Sequence, residues 1–382
     1  MNTRTILERL VAFPTVSADP NRARIDWVAA LLAEHGIAST IIPDASGHKA
    51  NLYATIGPDD RPGVMLSGHT DVVPVEGQSW TRPAFELTEA EGRLYGRGTC
   101  DMKGFCASAI NAAIQATARD LATPLHLALS YDEEIGCIGV RSLVDMLEAA
   151  PIRPAMCIVG EPTGMAVASG HRGKVALRAD CHGQEGHSAL APLAMNALHL
   201  AVDFANAVRE LQAEIAASGA RDDDYDVAYT TLHLGRITGG DALNIVPNHA
   251  VVEFEIRNLA QDNPDALIAE LESRAERIIA KAGHPAARIE ITRVWSYPGL
   301  STPQESQAVA FVKSLTGANG TIKVAFGTEG GLFSTRLAVP TVICGPGSMA
   351  QGHKPDEYVS IEQLAACDRM MDSLLDRLVE GI

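Results

Sequence analysis

A helix-flanked, largely parallel sheet interrupted by an inserted βαββαβ unit is the α/β fold that this chain predicts, and three patterns predict it. Short apolar runs at residues 64–66, 125–130, 156–159 and 341–344 alternate with helical patterns such as 105–117 and 140–148. That alternation belongs to a sheet covered on both faces. Between about 173 and 296 the order becomes strand (174–181), helix (193–217), two strands (227–234 and 250–257), helix (264–282) and strand (287–295). This is the split βαβ, ferredoxin-like order. After Pro298 the first pattern resumes and closes on a helix at 361–378. The expectation is one domain in two parts, 1–172 and 297–382, with a second domain, 173–296, inserted between them.

Taken in chain order, the first element is an amphipathic helix carrying Ile6, Leu7, Leu10 and Val11, followed by a turn. It lacks the basic start, apolar stretch and cleavage site of a secretory signal. No later run is long and apolar enough to span a bilayer. At 382 residues and 46% hydrophobic composition the chain can bury a large core. A formal charge of −16 argues against nucleic acid and anionic membrane surfaces, both of which select basic patches. Seven cysteines, odd in number and without a C-x-x-C pair, read as reduced buried thiols of a cytoplasmic protein. Within the inserted segment the acidic stretch Arg221-Asp222-Asp223-Asp224 reads as a solvated turn.

The apolar runs matter for the polar residues at their ends. His69, Glu134, Glu161 and His353 each come after a strand-like run, and Asp101 stands between glycines and a helix start. Open α/β sheets bind ligands at the carboxyl ends of their strands. In Ser67-Gly68-His69-Thr70-Asp71, residues two apart project to one side, so Asp71 can approach the imidazole. Taken alone, the pair is as compatible with a structural contact. Asp101 fits a helix N-cap as well as a ligand, and a carboxylate can also bridge two cations. Asp132-Glu133-Glu134 is either an exposed acidic turn or a buried cluster that needs cations to neutralise it. Adjacent acids permit a division of labour in which Glu134 binds metal and Glu133 moves protons. Two histidines and three to four carboxylates exceed the four ligands of a structural zinc and suit two borderline-hard cations.

These segments, with Gly96-Arg97-Gly98, Asp101-Met102-Lys103-Gly104, Gly160-Glu161-Pro162 and His353, resemble the dizinc aminoacylase, desuccinylase and acetylornithine deacetylase hydrolases over nearly the whole chain. The resemblance implies a zinc-exopeptidase-like catalytic domain in which His69, Asp101 and Glu161 hold one Zn2+ and Asp101, Glu134 and His353 the other, with Co2+ or Mn2+ able to substitute. It also implies that Glu133 is the general acid/base, that Asp71 orients His69, and that the Asp101-Met102 peptide is cis. The inserted unit becomes a lid that dimerises, and His187 reaches the partner's active site to bind the oxyanion. Asn244 and Arg257 resemble the contacts to the substrate carboxylate; Arg257 fits equally well a strand-end salt bridge. The remaining histidines, His35, His48, His126, His182, His199, His233, His249 and His284, read as surface or packing residues, and His171 is left open.

Phe326-Gly327-Thr328-Glu329-Gly330-Gly331 and the 345–358 stretch are similar to the acetylornithine deacetylase branch. Glu329 would complement the side-chain ammonium of acetylornithine, or else cap a loop. The implied reaction is removal of the acetyl group from N2-acetylornithine, a step of arginine biosynthesis, on a small-molecule substrate and in a homodimer. Succinyl-diaminopimelate desuccinylase, general aminoacylase and dipeptidase are alternatives within the same chemistry. A catalytically inactive metal-binding or scaffold relative is the alternative outside it, and it would lack Glu133 or a ligand, all of which are present.

Overall fold

A computed structural model describes residues 1–382 and divides them into two compact units. The larger comprises Met1–Gly170, Leu300–Val324 and Thr328–Ile382; the smaller comprises His171–Gly299 with Ala325–Gly327.

The larger unit is built on a nine-stranded sheet. Its centre is four parallel strands in the spatial order Leu125–Ser130, Val64–His69, Met156–Val159, Thr341–Ile343. Every residue of these four is buried, so both faces are covered, as their unbroken apolar runs require. Antiparallel strands flank them: Ala50–Ile56 and Ser39–Pro43 on one side, Ala168–His171 on the other. The strand nearest the N-terminus among the parallel four, Val64–His69, lies inside the group, with later strands on either side of it. Its carboxyl end is therefore a topological switch point, where a crevice opens. Helix Gly104–Ala116 packs on this strand and against helices Thr3–Val11 and Ile361–Glu380. The N-terminal helix buries the expected Ile6, Leu7, Leu10 and Val11 and is capped by the Asn2 side chain, which accepts from the Thr5 amide.

In the smaller unit four strands form one antiparallel sheet in the order Thr231–Gly239, His249–Arg257, Lys174–His182, Arg288–Tyr297. With helices Ala197–Ser218 and Pro264–Ala282 the chain order is β-α-β-β-α-β. Alternate residues of the central strand, Leu177, Ala179 and Cys181, join Phe204, Val208 and Leu271 of the helices in a separate core. Two elements of this unit are displaced by more than two residues from the sequence expectation. The strand expected at 227–234 runs instead over Thr231–Gly239, because the Arg172 guanidinium takes the carbonyls of Val227 and Tyr229 and holds them as loop. The long helix starts at Ala197 rather than 193, where the Asn196 side chain caps the Leu198 amide.

Candidate metal centre

Three of the four parallel strands lead at their carboxyl ends into polar residues: His69, the Asp132–Glu134 turn and Glu161. His69 closes its strand with its side chain 1% exposed. Nε2 lies 3.0 Å from Asp101 Oδ1 and 3.7 Å from Glu161 Oε1. On the other ring nitrogen, Nδ1 faces the Asp71 carbonyl oxygen at 3.0 Å, with the Asp71 carboxylate at 3.5 Å. That carboxylate has further work: it accepts from Ser17 Oγ at 2.6 Å and from the amides of Glu133 and Glu134 at 3.1 and 3.4 Å. Asp71 therefore contacts His69 through its backbone carbonyl and the acidic turn through its side chain.

Asp101 is delivered by an irregular turn, Thr99–Lys103, that enters helix Gly104–Ala116. Gly98 precedes the turn at φ +83°, a left-handed conformation that favours glycine. The Asp101-Met102 peptide is cis. Asp101 Oδ1 is the oxygen near His69, and Oδ2 lies 3.2 Å from His353 Nε2. His353 Nε2 is also 3.0 Å from Glu134 Oε2. Glu161 reaches the site because Gly160 lets its strand end pass under the Phe105 ring; a Cβ on Gly160 would lie within about 2 Å of that ring.

These groups burden one another electrostatically. Burial first, then repulsion from Asp101, holds the Glu134 and Glu161 carboxyls above the usual range. Glu133 rises for the same reason, burial leading and Glu134 and Asp71 adding. For Asp101 burial is again the largest influence and would raise it, but hydrogen bonds from His353 and His69 carry it below the usual carboxylate range. His353 is pushed up to about 10 by the hydrogen bonds to Asp101 and Glu134. Acids packed so closely are costly without cations to share. Two sets of donor atoms gather within 4.8 Å of one another: His69, Asp101 and Glu134, and His69, Glu133 and Glu161. Nearby thiols stay protonated, since burial pushes Cys106 up to about 12 and Cys137 well above its ordinary value. Only oxygen and imidazole nitrogen are offered, a donor set suited to borderline-hard divalent cations.

Sequence reasoning missed three residues here. Cys137 Sγ donates to Glu133 Oε1 at 3.3 Å, and Glu357 Oε1 accepts the amides of Cys100 and Asp101 at 2.9 and 3.0 Å. Arg97 in turn donates to Glu357 Oε2 at 2.7 Å. The Gly96-Arg97-Gly98 and Asp356-Glu357 signals were visible, but a contact across 260 positions has no local signature.

Glu329 departs from its expected place. Its side chain is fully buried, and its two oxygens accept from Ser67 Oγ at 2.5 Å and Ser130 Oγ at 2.6 Å. A substrate ammonium has no open approach to it, so the recognition role gives way to a structural one. The remaining expected residues belong to the smaller unit. His187 and Asn244 come together there: strand Gly186–His187 pairs with Ile245–Val246, and the Ser188 amide donates to the Asn244 carbonyl. Both side chains are exposed. Arg257 ends its strand and pairs with Glu255 at 2.9 Å, while His171 is buried with Nδ1 on the Arg172 carbonyl.

Buried carboxylates gathered by imidazoles at the ligand-binding end of a parallel sheet define a metal-dependent hydrolase. The model of peptidase family M20/M25/M40 matches residues 65–377, and the chain belongs to that family. An acetylornithine deacetylase of Myxococcus xanthus is 33% identical over 373 residues, covering 96% of this chain and 95% of the relative. One from Pasteurella multocida is 32% identical and covers 97% of both chains. Among solved structures, an M20 family metallo-carboxypeptidase from Sulfolobus solfataricus shares the fold with a TM-score of 0.79 at 18% identity, covering 100% of both chains. A dinuclear metal-binding M20 peptidase from Bacillus subtilis gives 0.71 at 15% identity, covering 100% of this chain and 98% of that one.

Proposed function

We propose that this enzyme hydrolyses N2-acetylornithine to ornithine and acetate with two divalent cations, zinc in the first instance and cobalt or manganese as substitutes. One observation carries the two-cation reading: Asp101 turns one oxygen to His69 and the other to His353, as a carboxylate shared between two cations must. Full-length similarity to acetylornithine deacetylases supports the substrate. His69, Asp101 and Glu161 would hold one cation and Asp101, Glu134 and His353 the other. When bound, the pair polarises the amide carbonyl and acidifies water, from pKa 15.7 towards about 7 in zinc sites.

The rest is done by the chain. Glu133, anchored by the Cys137 thiol, takes a proton from the attacking water and returns it to the departing amine as the C–N bond breaks. Asn244 and Arg257 receive the substrate carboxylate, and the partner subunit's His187 donates to the oxyanion. A dimer through the smaller unit is supported by exposed Leu190 (58%), Leu193 (74%), Leu243 (100%) and Ile245 (46%) around His187. A cytoplasmic location is supported by seven cysteines that are all free thiols; no helix is long and apolar enough to cross a membrane.

The test is kcat/KM with added Zn2+ or Co2+ on N2-acetylornithine, succinyl-diaminopimelate, a simple N-acetyl amino acid and a dipeptide. N2-acetylornithine should lead by at least about tenfold; a lead for any other substrate overturns the assignment. In the same assay Glu133→Ala should lose roughly 10²–10⁴-fold in kcat with its metal content intact.

A further inference from the structure

Arg97 and Glu357 are each 1% exposed and form an ion pair beneath the metal centre. Their partners extend to both of the loops that supply the His353 side of the site. Glu357 Oε1 takes the amides of Cys100 and Asp101, and its own carbonyl accepts from the Gly96 amide at 2.9 Å. The Arg97 guanidinium lies over the Trp80 ring, 4.9 Å from its centroid, and donates to the Lys354 carbonyl at 3.3 Å and to Gln78 Oε1. Gln78 then donates Nε2 to the His353 carbonyl at 2.9 Å. That bond falls on a residue with φ at +61°, a left-handed conformation uncommon outside glycine.

We infer that Gln78, Arg97 and Glu357 are positioning residues that govern the two cations unequally. Glu357 fixes the backbone of Asp101, which is shared, and so governs both cations. Gln78 fixes the backbone of His353, which serves one cation, and so governs that one alone. This inference rests on the two-cation reading above. Such outer partners orient a ligand before the cation arrives, and losing one typically weakens metal affinity about 10–100-fold.

The experiment is equilibrium dialysis of the purified full chain against Zn2+ and, separately, Co2+, with thermal unfolding as the check on folding. The unsubstituted chain should bind two equivalents. Gln78→Leu should loosen one equivalent by about 10–100-fold and leave the other unchanged, while Glu357→Leu, which removes the acceptor of both amides, should loosen both. Gln78→Glu keeps an oxygen to accept from Arg97 and from Trp80 Nε1, which donates to Gln78 Oε1 at 3.0 Å, but sets a carboxylate against the His353 carbonyl, so it should match Gln78→Leu. If Gln78 acts only by bracing Arg97, Gln78→Glu will leave both equivalents as they were, and the inference fails. It fails equally if either Gln78 variant shifts both equivalents together or tightens either. Should Glu357→Leu not fold, the two Gln78 variants decide the matter. Fewer than two equivalents on the unsubstituted chain would defeat the two-cation reading itself, and the inference with it.

Discussion

Ser67 and Ser130 each give a hydroxyl to one oxygen of Glu329, and both serines stand on strands that carry the metal centre. Ser67 is two residues before His69, and Ser130 is the register partner of His69. A carboxyl group here ties two strand ends together from below. In the sequence, an acid in a glycine-rich loop suggests a hand for a substrate ammonium, because nothing local marks which side of a loop faces the core. The buried geometry reverses that expectation. Glu329→Ala should cost roughly 1–3 kcal/mol of stability by leaving two buried hydroxyls without their acceptor. It should raise KM for N2-acetylornithine and for a simple N-acetyl amino acid alike, if at all; a rise confined to N2-acetylornithine would restore the ammonium role. That His69 and Glu161 lie close together was legible, since an apolar run leading into His or Glu is a local signal. Cys137, Glu357 and Gln78 were not, because each acts through a partner fixed only by the tertiary fold.

At the scale of elements, the parallel strands were legible to within about three residues, from continuous apolar runs bounded by turn signals. Thr231–Gly239 was displaced because its pairing is set by a distant guanidinium rather than by its own alternation. Strand Leu125–Ser130 carries a less visible cost. His126 stacks on Tyr53 with ring centroids 5.6 Å apart, and Nδ1 bonds Thr55 Oγ1 at 2.9 Å. Its Nε2 has no partner, and burial lowers the imidazole from the usual 6.5 to about 4. The folded state thus binds its proton later than the unfolded chain does. Stability attributable to this histidine is intact above pH 6.5, falls as pH drops through that value, and is fully lost near pH 4. The loss amounts to about 3 kcal/mol. Urea unfolding of His126→Phe should show a flatter dependence than the parent chain across that window; parallel profiles would show that His126 is not the acid-sensitive group.

At the scale of the whole molecule, the chain divides into two compact units, and the smaller one carries the exposed apolar residues through which we propose that copies associate. These are single apolar residues, Leu190 and Leu193 on the short 3-10 helix Ser188–Leu193 and Leu243 on a turn, which in sequence resemble ordinary core positions. With Leu193→Asp and Leu243→Asp together, sedimentation at micromolar concentration should show a monomer where the parent chain is a dimer, and kcat should fall. A monomeric parent chain, or a monomeric variant with full turnover, would remove the partner subunit's His187 from the reaction. The junctions of the insertion carry one more consequence. Strands Ala168–His171 and Leu300–Ser301 are neighbours in the large sheet, and the Thr302 amide donates to the Ser169 carbonyl at 2.8 Å. To the larger unit, everything between them is one long hairpin loop whose stem is already closed. A stem of that kind tolerates a change of cargo: a short turn in place of residues 172–299 would keep both stem strands, so a lineage could gain, trade or shed most of the inserted unit without refolding the sheet end that gathers His69 and Glu161.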